Sequence, residues 1–381
     1  MSITIDADTH YWPRDAVDDE EAQRQFGSRW PRFMTDAVGR DWIEFPERAE
    51  RFTPQQQAMP SGMAPRKNHP GSHDPAVRAT WLDGAGFDMQ VLVPNPTPLS
   101  YGLEPAIAIA LARSYNNAIS RTLQAFPGRF IGLAWVPLQD PVAAIDELDR
   151  AIEELGLHAP VIYTHVNWHN LDERRFWPFY GRVEQLGVPL TIHPNRFEGL
   201  MGLERLRHMH LDNPLGFLYE ATLAVTSLIM EGVLDVFPRL RVGLLETGGG
   251  WLHYLMDRLQ EIYEGEVYGG ISTDPAIPVK ELIRKPPEGY LDQFWFCLNV
   301  GAELRTIPGL VERFGADRFM INSDFPHGVG GGGQGTIQRV RELQGLTAEQ
   351  KEQLLGRSAC QLFDIDPVSR RQARGAQSVA V

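Results

Sequence analysis

The feature that most constrains this chain is an alternation. Short apolar, β-branched runs recur along its length, and segments with helical spacing separate most of them. Strands are expected at Ile3–Asp8, Met89–Pro94, Phe130–Val136, Pro160–His165, Pro189–His193, Arg241–Leu245, Phe294–Val300 and Arg318–Asn322. Helical patterns lie between them, among them Pro105–Ala125, Pro141–Leu155, Arg174–Leu186, Phe217–Phe237, Trp251–Tyr263 and Glu303–Phe314. Strands that are apolar nearly throughout, alternating with helices, imply a parallel sheet covered on both faces. Eight of them predict an α/β fold of the (β/α)8 TIM-barrel type. A doubly wound sheet is the alternative, but it usually carries a glycine fingerprint after its first strand, and none is present.

A chain of 381 residues is long enough for such a barrel as one domain, expected over residues 1–366. Two stretches depart from the repeat. Residues 11–75 form a long insertion after the first strand, containing Trp12, Trp30, Trp42, His69 and His73. Insertions of that length are often functional, and in a barrel this one would lie over the strand C-termini as a lid or substrate loop. Residues 367–381 read as a flexible polar tail with Arg370, Arg371 and Arg374.

The charge balance narrows the partners. With 36 basic and 49 acidic residues the net charge is −13, which argues against a general nucleic-acid surface. Cys297 and Cys360 are too few and too far apart for a disulfide framework or a cysteine zinc cluster. The N-terminus lacks the basic and apolar regions of a signal peptide. The apolar stretch Ala221–Leu234 is interrupted by Thr222, Thr226, Ser227 and Glu231, as in a buried helix and unlike a membrane span. A cytoplasmic enzyme acting on a small molecule is the expectation, with no membrane or nucleic-acid partner.

Ionisable residues collect at strand ends. The first strand ends Asp6-Ala7-Asp8-Thr9-His10, the fifth ends in His193, the sixth in Glu246-Thr247-Gly248-Gly249-Gly250, and the eighth in Asp324-Phe325-Pro326-His327. In a barrel these C-terminal ends converge on the active-site face. Residues two apart on a strand share a face, so Asp8 and His10 point together and Asp6 shares their parity. Carboxylates and imidazoles converging in this way suit a divalent metal. His165 ends the fourth strand at the same face. The run Gly328–Gly335 lacks the Gly-Lys-Ser/Thr ending of a nucleotide loop, and a flexible mouth loop is expected. His208 and His210 read as surface residues.

These pieces resemble the amidohydrolase-related family that contains the aminocarboxymuconate-semialdehyde, resorcylate and 5-carboxyvanillate decarboxylases. The matches are Asp6–His10, Asp83-Gly84-Ala85-Gly86-Phe87-Asp88, Pro127-Gly128-Arg129-Phe130, Val136-Pro137-Leu138-Gln139-Asp140-Pro141, Thr164-His165-Val166-Asn167, Ile192-His193-Pro194, Gly248–Gly250 and Ser323–His327. They keep the family's order over roughly residues 3 to 363. The resemblance implies a distorted barrel with a divalent metal at its mouth, often in a homodimer. It carries over His10 and His193 as ligands and Asp324 as a metal or proton-handling residue. Two positions depart from the pattern. Asp8 stands where the family's first-strand motif usually has a histidine, and Thr247 stands where the well-studied decarboxylases have one before the glycine run.

Threonine cannot take over the proton work of an imidazole near neutral pH. Glu246, one residue earlier, could be a ligand or general base, but a regular strand cannot turn both Glu246 and Thr247 inward without a bulge. Asp8, His10, His193, Asp324 and Glu246 would hold one or two ions of iron, manganese or zinc. Such a carboxylate-rich set moves the expected chemistry to hydrolysis, with Asp324 or Glu246 as catalytic base and water attacking an ester, thioester or related acyl group. His165, His327, His73 and Trp12 are the expected substrate contacts. Non-oxidative decarboxylation of an aromatic or unsaturated acid is the alternative, and a degenerate ligand-binding barrel the third reading.

Overall fold

The computed structural model describes residues 3–35, 41–44, 46, 69–94, 101–195, 212–265, 283–327 and 333–367. His208, His210, most of the glycine run after the last strand, and the tail from residue 368 lie outside them. The strands are β1 (Ile5–Tyr11), β2 (Arg32–Thr35), β3 (Asp41–Glu44), β4 (Met89–Pro94), β5 (Phe130–Trp135), β6 (Ala159–Tyr163), β7 (His165–Val166), β8 (His169–Asn170), β9 (Leu190–His193), β10 (Val242–Leu244), β11 (Phe294–Leu298) and β12 (Phe319–Ile321).

Eight of these form one sheet in the order β1-β4-β5-β6-β9-β10-β11-β12, with every neighbouring pair parallel. They correspond to the eight strands expected from the apolar runs, and the fold is a (β/α)8 barrel. Its seam is closed between β1 and the segment after β12. There the His10 N–H donates to the Phe325 carbonyl at 2.7 Å, and the Ser323 N–H donates to the Asp6 carboxylate at 2.7 Å.

The alternation of side chains divides the core into two layers. Ile5, Met89, Val91, Ile131, Leu133, Val161, Cys297 and Met320 belong to an inner cluster. Leu92, Ile162, Leu190, Ile192, Leu244, Phe296 and Ile321 pack with the helices in an outer one. The helices start where local chemistry tells them to. Asp74 and Asp140 cap the N-termini of Pro75–Ala85 and Pro141–Asp149, and each is followed by a proline whose missing N–H costs nothing there. The C-terminal helix Ser358–Phe363 adds Leu362 and Phe363 to the inner cluster beside Ile3. Gly356 lets this plug approach, because a Cβ there would lie 2.1 Å from the Ile3 carbonyl oxygen.

The insertion differs from its expected irregularity. Within it are the helix Glu20–Phe26 and the antiparallel pair β2–β3, and its end passes into the helix Pro75–Ala85. Among the described residues no helix is long and apolar enough to cross a membrane.

Candidate metal centre

The site begins with a fault in β1. Asp6 pairs with Gln90, but Thr9 pairs with Leu92, so β1 spends one residue more than β4 over that step. The bulge shifts the phase of the strand. Asp8 and His10 turn to the barrel mouth, while Asp6 faces Gln90 and Ser323. The shared parity expected for Asp6 therefore fails, for a reason that regular alternation cannot anticipate.

His193 ends β9, with Thr191 before it on the inner face. Its Nδ1 lies 2.6 Å from the Pro194 carbonyl, which can only accept, so Nδ1 donates there and Nε2 is the nitrogen left to face the cluster. Glu246 resolves the dilemma at the sixth strand. β10 stops at Leu244, and Glu246 adopts φ 52, a left-handed conformation uncommon outside glycine. That turn brings its carboxylate to 3.0 Å from His193 Nε2 and 3.4 Å from His10 Nε2. Asp324, also left-handed at φ 54, sits 3.3 Å from His10 Nε2. Strained backbone of this kind clusters at functional sites.

Asp8, His10, His193 and Glu246 are all buried and offer ligand atoms within 4.8 Å of one another. A second group, His10, Asp324 and His327, shares His10 with the first. The fit to a cation is visible in the atoms left over. His10 Nδ1 and Nε2, His193 Nε2 and Asp8 Oδ1 are buried without an aligned hydrogen-bond partner, although carboxylate oxygens lie close by. Buried polar atoms are normally satisfied, and His10 Nε2, His193 Nε2 and Asp8 Oδ1, one atom from each of three residues, are a donor set that a divalent cation would fit.

The protonation pattern is consistent with that geometry. Burial by itself lowers the His10 imidazole, but the Asp324 and Glu246 carboxylates and the Asp8 charge outweigh it and hold it up at about 10. Burial pushes Asp8 up to about 6 against the pull of His193 and His10. Glu246 is held well below the usual carboxylate range, because His10 and His193 overcome its burial. Without a cation the cluster retains a proton that a metal would displace.

Two supports escaped the sequence reading. Glu303 accepts from the N–H groups of Gly249 at 2.9 Å, Gly250 at 2.8 Å and Asn299 at 2.9 Å. The glycine run is thus a nest for a carboxylate, and a Cβ on Gly248 would lie 2.6 Å from Glu303 Oε2. Arg78 is fully buried and donates to the His10 carbonyl. Its spacing from Leu82 and Ala85 puts it on the buried stripe of the helix Pro75–Ala85, a signal for burial though not for the partner it holds.

The expected substrate contacts divide. His327 joins the cluster, with Nδ1 3.1 Å from Asp324 Oδ1 and its ring 4.5 Å from that of His10. His165 opens the β7–β8 hairpin; its Nδ1 accepts from the Trp168 N–H at 3.2 Å, and its ring stacks on Trp168. It belongs to neither donor group. Trp12 is buried against Tyr115 at 5.0 Å. His73 lies in the insertion, 5.4 Å from the Phe33 ring and 3.4 Å from an Arg14 nitrogen. Neither Trp12 nor His73 is brought into the cluster.

Comparison with known proteins bears on this geometry. The family described as amidohydrolase matches residues 5–365. A 2-amino-3-carboxymuconate-6-semialdehyde decarboxylase of Dictyostelium discoideum is 28% identical over 367 residues, covering 96% of this chain and 93% of its own. A gamma-resorcylate decarboxylase of a Polaromonas species is 27% identical, covering 73% of this chain and 86% of its own. Among solved structures, a 5-carboxyvanillate decarboxylase of Novosphingobium aromaticivorans with bound manganese superimposes with a TM-score of 0.70 at 20% identity, over 96% of this chain and 97% of that one.

The expectation of a hydrolase is corrected by these relatives, which are named as decarboxylases and align over 96% and 73% of this chain. That expectation took the extra carboxylates Asp8 and Glu246 as enough to hold one or two metal ions. The two donor groups, however, share His10. An amidohydrolase match over residues 5–365, on a barrel whose strand ends gather a buried His/Asp/Glu cluster, is decisive for descent: the chain belongs to the amidohydrolase family.

Proposed function

We propose that this protein catalyses metal-dependent, non-oxidative decarboxylation of an aromatic or unsaturated carboxylic acid. The observation that carries the reading is the ring of orphaned ligand atoms on Asp8, His10 and His193 beside Glu246, in a chain whose near full-length relatives are named decarboxylases. In this reading Asp8, His10, His193 and Glu246 hold one divalent ion, since the second donor group cannot be filled without taking His10 from the first. Two carboxylates and two imidazoles favour a hard or borderline ion, and manganese, bound in the related structure, is the first choice. Such an ion supplies positive charge that orients a substrate oxygen and offsets the negative charge left as carbon dioxide departs.

The chain's own groups have the remaining work. Decarboxylation breaks one carbon–carbon bond, leaves its electron pair on the substrate carbon, and requires a proton at that carbon. In this reading Asp324 relays this proton to the substrate carbon, facing His10 at 3.3 Å and His327 at 3.1 Å. The His327 side chain is 25% exposed and links Asp324 to solvent, so the proton can be replaced after each turnover. The buried remainder of the cluster keeps water from competing for the same groups.

The test is carbon dioxide release from gamma-resorcylate, 5-carboxyvanillate, 2-amino-3-carboxymuconate-6-semialdehyde and related acids. Release should occur without an oxidant, stop after chelation, and return with manganese. Turnover of these acids without carbon dioxide, or release indifferent to chelation, would sink the reading.

A further inference from the structure

A continuous hydrogen-bonded chain runs behind the cluster without touching the face that would hold the ion. It starts at Arg78 in the helix Pro75–Ala85. The Arg78 Nε donates to the Gly71 carbonyl at 2.8 Å, and its Nη1 donates to Thr9 Oγ1 at 2.9 Å and Gln90 Oε1 at 3.2 Å. Its Nη2 donates to the His10 carbonyl. From there Gln90 Nε2 donates to Asp6 Oδ2 at 3.0 Å. Asp6 in turn accepts the Ser323 N–H at 2.7 Å and the Ser323 hydroxyl at 2.6 Å. Ser323 Oγ then accepts the Phe325 N–H at 3.2 Å.

One end of the chain therefore fixes the backbone of His10. The other fixes both residues flanking Asp324, whose own backbone is held at φ 54. Arg78, Gln90, Asp6 and Ser323 are each fully buried. A guanidinium and a carboxylate removed from water are costly, and an amide stands between them here in place of a direct ion pair. Apolar side chains of similar volume would hold the layer between barrel and helix at least as well. Stability alone does not account for the arrangement. Geometry does, because the two ends tie the His10 backbone to the segment carrying Asp324.

We infer that Arg78, Gln90 and Asp6 act as a positioning chain that anchors the His10 backbone against the segment carrying Asp324, and through the placement of His10 sets the site's metal affinity and turnover. The inference rests on the metal-dependent reading of the site. None of the three would touch metal or substrate.

Gln90→Met tests it by removing the central amide at nearly constant volume. Ser323→Ala, which deletes one hydroxyl, provides an independent break if the first variant does not fold. Manganese titration of the full-length protein is the primary readout. Both variants should bind manganese 10- to 100-fold more weakly, as expected when outer supports of metal ligands are lost, in protein that still melts cooperatively, at a lowered temperature because each loses a buried charge-assisted hydrogen bond. With a decarboxylated substrate, kcat should fall while KM stays within about twofold, because positioning acts on the reacting state more than on binding. Wild-type manganese affinity in the folded variants would overturn the inference while leaving the functional reading intact. A wild-type protein that binds no manganese would remove both.

Discussion

His193 donates its Nδ1–H to the Pro194 carbonyl, and Glu246 leaves the strand geometry to face its other nitrogen. These two local events turn separate strand ends into a ligand set. The titration of His10 and Asp8 makes a definite prediction for metal binding. Below its folded value of about 10, His10 carries a proton that a metal must displace, and below about 6 Asp8 carries another. Apparent manganese affinity should therefore rise roughly tenfold per pH unit between pH 6 and 8.5, and more steeply below 6. Calorimetry in buffers of different ionisation enthalpy checks the proton count, and a flat profile would contradict the assignment. The metal-free protein should show the opposite linkage at His10. Its raised value adds stability that is complete below about 6.5 and is lost as the pH climbs through about 10. Asp324→Asn should abolish turnover while the circular dichroism spectrum and manganese binding persist, since Asp324 lies outside the main ligand group. Full residual activity would remove Asp324 from the chemistry.

Among the secondary-structure elements, two irregularities do the orienting. The β1 bulge turns Asp8 and His10 to the mouth and sends Asp6 to the supporting layer. The segment after β10 turns Glu246 inward and then wraps its glycines around Glu303. Glu303→Gln removes a charged acceptor and sets an amide N–H against a backbone donor. It should cost about 1.5–3 kcal/mol of stability, read by urea unfolding, and should weaken manganese binding by loosening the Glu246 turn. A variant with unchanged stability and metal affinity would show that the loop holds itself. Gly248→Ala should be destabilising as well. Its φ of 63 strains any side chain, and the added carbon would meet Glu303 Oε2 at 2.6 Å.

For the molecule as a whole, the seam between β1 and β12 is both the point of closure and the support of the site. The contacts that close it, His10 to Phe325 and Ser323 to Asp6, join the two segments that carry His10 and Asp324. Filling the cluster should therefore stabilise the entire fold. Manganese at 100 times its dissociation constant should add about 2.7 kcal/mol to the unfolding free energy, reversed by chelator. A melting curve insensitive to manganese, zinc and iron would favour a barrel that has lost its metal.

Much of this architecture was readable along the chain. Eight apolar runs alternating with helical patterns specify a parallel barrel because each strand must be covered on both faces. Polar residues at the ends of those runs mark its mouth because strand C-termini converge there. His10, His193, Asp324 and Asp8 were legible on those grounds. The orientation of Glu246, the exclusion of Asp6, and the roles of Arg78, Gln90 and Glu303 were not. The first two depend on a bulge and a left-handed residue, which break the two-residue period on which strand reading relies. The others depend on partners far away in sequence, such as Ser323 for Asp6 and Gly249 for Glu303. Periodicity along a chain encodes which face a regular element buries. Only the folded barrel decides which polar groups meet across its seam, because that is set by register and closure between elements.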